Sequence, residues 1–153
     1  MNSPQSIKEK LYQACETHIT ERISHISNRL ESIKESIRNE TKSSVGDKHE
    51  TGRVMMQLEA ENTKAQFASA LQTKSVLASI DGSITSTTVQ KGSLVITNQA
   101  KYYIAIGIGK VLIDNTIYYC ISQDAPIAVR LLGKSVGDEI EFTGRKITLK
   151  EIY

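Results

Sequence analysis

The stretch ITERISHISNRLESIKESI, residues 19–37, decides the fold of this chain. Its apolar residues recur at alternating intervals of four and three: Ile19, Ile23, Ile26, Leu30, Ile33 and Ile37. That spacing places one apolar stripe along an α-helix and is typical of a coiled-coil seam, while the residues between carry mixed charge that suits solvent. The stripe continues backwards through three more residues: Cys15, Leu11 and Ile7. The pattern predicts one helix over residues 6 to about 40, roughly 50 Å long at about 1.5 Å per residue.

A second helical pattern runs from about residue 48 to residue 77. A helix as long as the first has to bury its stripe, and the short polar connection around Gly46 makes the second helix its natural antiparallel partner. The apolar positions that we assign to the partner seam are Met55, Leu58, Ala65, Ala68 and Leu71. The first half of the chain is therefore predicted to be an antiparallel coiled-coil hairpin.

The composition changes near Ile80, after which glycine recurs and Val, Ile, Thr and Tyr dominate. Runs of these residues separated by turn signals predict six strands, at residues 93–97, 102–108, 111–113, 116–122, 139–142 and 146–152. One short helix is expected at residues 126–132, with Pro126 in its first turn and Gly133 just past its end. The predicted fold class is α+β, with the hairpin over residues 1–80 and a small β-rich domain over residues 81–153.

Composition limits the classes of function. The chain has 153 residues, of which 39% are hydrophobic and 24% charged, as in a globular protein. A net charge of +2 is too small to argue for nucleic acid or membrane as a direct partner. The first residues lack an apolar signal-peptide core, and the longest apolar stretch is too short to span a bilayer, so we expect a cytoplasmic protein.

The two cysteines, Cys15 and Cys120, stand far apart in the sequence and in different halves. Such isolated thiols are more often buried small hydrophobes than a disulfide or a metal pair. Neither has a histidine close in sequence, and the chain is too short for the large α/β fold of acyl-transfer enzymes, which excludes that class.

The connection between the helices carries two carboxylates three residues apart, Asp47 and Glu50, within the segment 46–51. Asp47-x-x-Glu50 has the pattern of a capping box, in which each side chain accepts a hydrogen bond from an otherwise unpaired backbone N–H at the start of the second helix. The same carboxylates at the end of a long hairpin are also candidate metal ligands. The two interpretations are compatible, because a capping residue keeps a free carboxylate oxygen.

The order of the parts and two motifs resemble the Gre transcript-cleavage factors of bacterial RNA polymerase. The Gre tip motif begins Gly-Asp and has a Glu three residues after the Asp, which Gly46, Asp47 and Glu50 match. Lys48 and His49 depart from the Leu and Ser that are usual there.

The second motif lies in the C-terminal half. The family reads Ser-x-x-Ser-Pro, a short helix, and Gly-Lys-x-x-Gly-Asp; this chain reads SQDAP at residues 122–126 and GKSVGD at residues 133–138. The resemblance covers nearly the whole chain, and it implies an FKBP-like fold for the C-terminal domain.

The resemblance also implies a function. It implies a hairpin that enters the secondary channel of RNA polymerase, where Asp47 and Glu50 help to hold a catalytic Mg²⁺. That ion would be shared with the polymerase active site and bound only weakly by the isolated protein. The residues implied in docking to the polymerase are Asp124, Ala125 and Pro126. The protein would be an accessory factor and no enzyme itself, would meet RNA only within the polymerase complex, and would have no small-molecule substrate.

Two alternatives stay open. Lys48 and His49 place positive or potentially positive charge beside the acids, where they either hinder the metal or contact RNA phosphate. The first alternative is therefore a Gre-like factor that occupies the channel and modulates the polymerase without stimulating cleavage. The second is a coiled-coil interaction module unrelated to polymerase, which co-purification with RNA polymerase would distinguish.

Overall fold

The computed structural model describes residues 3–42 and 50–153, with side chains over 3–40 and 51–153. It contains two long helices followed by six strands, with one short helix between the fourth and fifth strands. The helices are α1 (Pro4–Lys42), α2 (Glu50–Ala78) and α3 (Pro126–Leu131). The strands are β1 (Leu94–Thr97), β2 (Lys101–Ala105), β3 (Gly109–Ile113), β4 (Thr116–Ser122), β5 (Glu139–Phe142) and β6 (Arg145–Ile152). The predicted α+β class is confirmed.

The chain divides into two compact units. The sheet unit combines the start of α1, up to His18, with Ser75–Tyr153. The helical unit lies within Ile19–Lys74. The amino-acid composition changes near Ile80. The compact sheet unit extends beyond that boundary, because it also includes the first turns of α1 and the last turn of α2.

In the helical unit, the buried face of α1 is the apolar stripe predicted from the sequence. Ile19, Ile26 and Ile33 keep at most 8% of their surface exposed, and Ile23 and Leu30 are half-buried. An ion pair at 3.0 Å joins Arg29 of α1 to Glu59 of α2. Both of its side chains are about half exposed, so burial of the stripe contributes far more than this pair.

The buried face of α2 differs from the predicted one. Its buried residues within the helical unit are Ala60, Thr63 and Ala70, and Met56 and Phe67 on the same face are half-buried. These positions again alternate by four and three, as a seam requires. The residues assigned from the sequence are all exposed, and that assignment is wrong: Met55, Leu58, Ala65, Ala68 and Leu71.

The reason lies in the residue types. Small side chains at Ala60 and Ala70 leave room for a close neighbour, so the bulky isoleucines of α1 need no large partner. Thr63 tolerates burial because its hydroxyl donates to the Glu59 carbonyl at 2.8 Å. Over its described residues, neither long helix has a stretch long and apolar enough to cross a membrane.

The sheet unit is built on six strands in the order β3-β4-β2-β1-β6-β5. The β2–β4 pair is parallel and the other neighbours are antiparallel. A core cluster lies at this sheet and includes Leu131 of α3: Val89, Val95, Ile104, Leu131, Ile140, Ile147 and Leu149. Strand β2 ends at Ala105, before the predicted residue 108, because the chain bends at Ile106; Gly109, with φ +84°, then begins β3.

Side chains at the start of α1 contact the end of α2 and the segment that follows it. The Tyr12 hydroxyl donates to the Leu77 carbonyl of α2 at 3.3 Å. The Lys8 ammonium donates to the carbonyl of Ile84, which lies beyond the end of α2, at 3.5 Å. These contacts hold the first turns of α1 within the sheet unit.

Candidate functional site

The side chains of the predicted metal-directing residues, Asp47 and Glu50, lie outside the described part of the chain. Asp47, Lys48 and His49 fall in the segment between α1 and α2, and Glu50 enters the description only as the first backbone residue of α2. Among the described residues, no three His, Cys, Asp or Glu side chains come together in a group that could hold a metal ion. The Mg²⁺ assignment therefore stays a prediction.

The predicted docking residues form a surface loop at the end of β4, which we call the docking loop (residues 124–126). Ser122 anchors it: its hydroxyl accepts from the Asp124 N–H at 3.2 Å, and its carbonyl accepts from the Ala125 N–H at 3.0 Å. Pro126 is the first residue of α3, where its missing N–H leaves no donor unpaired. Asp124 and Pro126 are exposed, so the loop presents one carboxylate and one rigid apolar ring to solvent.

Sequence reasoning missed one neighbour of this loop. Val129 lies one turn into α3, where its N–H donates to the Ala125 carbonyl at 3.0 Å. Its side chain is 59% exposed, although Ala128 and Leu131 on the same short helix are buried. The sequence signal that could have identified Val129 is an apolar residue on the face of this six-residue helix opposite its buried residues. The docking loop is thus followed, one turn into α3, by an exposed aliphatic side chain.

The second half of the motif serves the fold. Gly133 and Gly137 have φ values of +82° and +92°, which glycine adopts at little cost. The Asp138 carboxylate accepts from the Ser135 N–H at 2.8 Å and closes the turn between them. Just before this turn, the Val89 N–H donates to the Lys134 carbonyl and the Gly133 N–H donates to the Val89 carbonyl, both at 2.9 Å. Turn geometry therefore explains the glycines and the aspartate of this half of the motif.

Cys15 and Cys120 are in contact, contrary to the expectation of two isolated thiols. Both are free and fully buried. The Cys120 thiol donates to Cys15 Sγ, which raises the pKa of Cys120 and lowers that of Cys15. The backbone N–H of Ile106 also donates to Cys15 and lowers its pKa further. The expectation of burial is confirmed, and the pair joins α1 to β4 inside the sheet unit.

Comparisons with known proteins give structural likenesses only. No protein-family model and no curated protein matches the chain. GreA factor homolog 1 (Gfh1) of Thermus thermophilus is 16% identical with a TM-score of 0.37, over 90% of this chain and 93% of that one. A second structure of the transcription factor Gfh1 is 17% identical with a TM-score of 0.35, over 90% and 92%. Thermus aquaticus Gfh1 is 19% identical with a TM-score of 0.35, over 92% and 95%.

Proposed function

We propose that this protein is a transcription elongation factor that binds RNA polymerase through its secondary channel and stimulates cleavage of backtracked RNA. The observation that carries the proposal is the presence of two separate motifs in one chain. Gly46-Asp47-x-x-Glu50 stands between two long helices, and the exposed docking loop stands in the sheet unit that follows. A factor of this kind needs both an acidic tip and a separate docking surface.

The residue types suit the proposed chemistry. Carboxylate oxygens are the ligands that Mg²⁺ prefers, and one or two of them suffice because the ion keeps several waters. A bound Mg²⁺ would activate water and stabilise the charge that develops at the phosphodiester. The part played by this chain is to bring Asp47 and Glu50 to that place and to hold them there. The rest of the catalytic site belongs to the polymerase.

The tip is tested with Asp47→Asn in a cleavage assay on backtracked complexes of purified polymerase. Asparagine caps a helix about as well as aspartate but removes one charge and one strong oxygen ligand. If Asp47 directs Mg²⁺, cleavage falls sharply, polymerase binding survives, and extra Mg²⁺ partly restores the rate. Equal cleavage by wild type and Asp47→Asn, both above polymerase alone, would make Asp47 a cap only.

A second candidate function rests on the departures from the Gre tip motif. Lys48 and His49 place positive charge beside the acids, which favours a factor that occupies the channel without stimulating cleavage. The double change Lys48→Leu with His49→Ser returns the tip to the usual Gre residues, and it raises cleavage if the basic residues hinder the metal. If wild type binds polymerase but adds nothing to its basal cleavage, the channel-occupying function is the better one.

The docking loop is tested separately by Asp124→Lys. We expect weaker polymerase binding, because the charge of an exposed carboxylate on the loop is reversed. Glu151→Lys is the matched control, since it reverses an exposed charge on β6, which β2 and β1 separate from β4 in the sheet. If the two reversals weaken polymerase binding equally, net charge and not the docking loop determines affinity. Absence of polymerase binding by wild type would favour the unrelated interaction module.

A further inference from the structure

A groove of about 710 Å³ opens in the sheet unit beside the start of α1. One wall is a face of α1, another is the segment of residues 78–83, and Tyr103 of β2 also lines it. None of its lining residues belongs to the Gly46–Glu50 motif or to the docking loop. Two polar side chains that line it, those of Lys8 and Tyr103, are buried without a full set of hydrogen-bond partners.

Lys8 lies on this groove in a position where an apolar residue is expected. It falls one turn before Leu11 and Tyr12 on α1 and is only 2% exposed. Its ammonium has three donors but makes a single hydrogen bond within the described residues, the long one of 3.5 Å to the Ile84 carbonyl. No described carboxylate forms an ion pair with it, and burial lowers its pKa. An ammonium buried without a counter-charge is unfavourable, so an anion beside it would stabilise the charged form.

The Tyr103 hydroxyl is the second polar group at this groove that has hydrogen-bonding capacity left over. Tyr103 is 1% exposed, and its hydroxyl makes no hydrogen bond to another described residue. No side-chain nitrogen or oxygen of the described residues is both fully enclosed and unpaired. The small exposed part of Tyr103 must therefore include its hydroxyl, which reaches the groove that the residue lines. Burial raises the pKa of this phenol, so it is a donor at neutral pH.

The rim of the groove carries the opposite charge. Glu9, Glu16 and Asp81 line it and are exposed. The Asp81 carboxylate accepts from the backbone N–H and the hydroxyl of Ser83, whereas Glu9 and Glu16 have no hydrogen bond or ion pair with a described residue. Three carboxylates at the rim disfavour a ligand with several negative charges. They favour one that carries a single anionic group and a cationic group.

We propose that this groove binds a small amino carboxylate. Its carboxylate accepts hydrogen bonds from the Lys8 ammonium and the Tyr103 hydroxyl, and its ammonium or guanidinium group faces Glu9 and Glu16. The site is independent of the proposed polymerase function. It is a binding site and needs no reaction.

The test is a titration of the ¹⁵N-labelled full chain with L-arginine, followed by amide chemical shifts. Acetate and L-argininamide are the two half-ligands, one with only the carboxylate and one with only the cations. We expect saturable shifts around residues 5–16 and 78–84 with arginine, and much weaker binding of either half-ligand. No saturable shift with arginine would overturn the proposal. Acetate binding as tightly as arginine would also overturn it, because a simple oxyanion site would remain.

The variant is Lys8→Met, which keeps the apolar stem and suits a buried position. We expect its arginine affinity to fall about tenfold or more, as for loss of a hydrogen bond to a charged group. Lys10→Met is the matched control, since Lys10 is 45% exposed and pairs with Asp114 at 3.5 Å, outside the groove. Tyr103→Phe removes only the hydroxyl and is expected to weaken binding to a smaller extent. If Lys8→Met binds arginine as well as Lys10→Met does, the groove is not the site.

Discussion

The buried face of α2 is tested by one substitution made at two positions. Ala70 is fully buried, whereas Ala68 is exposed and was assigned to the seam from sequence alone. Replacing each by Leu adds the same three carbons to the same helix. The structure therefore predicts different outcomes, and the sequence-based seam predicts that Ala68→Leu would be the damaging one.

The magnitude follows from the room at each position. At Ala70 the added carbons meet a position that has no exposed surface, and overpacking of that kind costs about 1–3 kcal/mol. At Ala68 the new side chain extends into solvent, and only the difference in helix propensity remains, a few tenths of a kcal/mol. We therefore expect the free energy of unfolding of Ala70→Leu to lie about 1–3 kcal/mol below that of Ala68→Leu.

The assay is equilibrium urea unfolding of the full chain, followed by circular dichroism at the helix band. A paired truncation tests the same assignment in the opposite direction. Ile26→Ala removes three carbons from a residue that is 7% exposed, at about 0.8 kcal/mol each plus a cavity cost, so about 2–4 kcal/mol is expected. Leu58→Ala, at a residue that is 55% exposed, is expected to cost less than about 1 kcal/mol. Equal losses within either pair would refute the assignment of the buried face.

Three further predictions concern the sheet unit. The thiols of Cys15 and Cys120 are both fully buried, so a thiol reagent should modify them only as the chain unfolds; fast modification of the native protein would contradict their burial. Gly92→Ala should cost about 1–2 kcal/mol in urea unfolding, because Gly92 has φ +93° and an added Cβ would lie 3.0 Å from Ile80 Cγ2; a neutral effect would show that the turn adapts. Lys8→Met should raise the free energy of unfolding at pH 7, because the pKa of Lys8 is lowered in the folded state and its charged form is therefore disfavoured there. The wild-type protein should gain stability as the pH rises through that lowered pKa towards 10.5, and Lys8→Met should lack this gain.

The sequence by itself determined the features that depend on local chemistry. The stripe through Ile19, Ile26 and Ile33 identified the buried face of α1, because nine apolar residues at helical spacing leave only one face to bury. Turn residues and β-branched runs located the six strands, with β4 and β5 at their observed bounds. The docking loop came from resemblance to a family motif, and the structure adds that Asp124 and Pro126 are exposed.

Only the tertiary structure decided which face of α2 is buried, that Cys15 touches Cys120, and that Lys8 and Tyr103 line one groove. In α2 the large apolar residues Met55, Leu58 and Leu71 are exposed, whereas the small residues Ala60 and Ala70 are buried, so hydrophobicity alone selects the wrong face. The choice depends on which side chains fit beside the isoleucines of α1, and fit is a property of two helices together. The cysteine contact and the groove join residues that are about a hundred positions apart, and no local pattern encodes such a distance. They arise because the start of α1, up to His18, packs within the sheet unit, and the packing of distant segments decides which polar groups are buried.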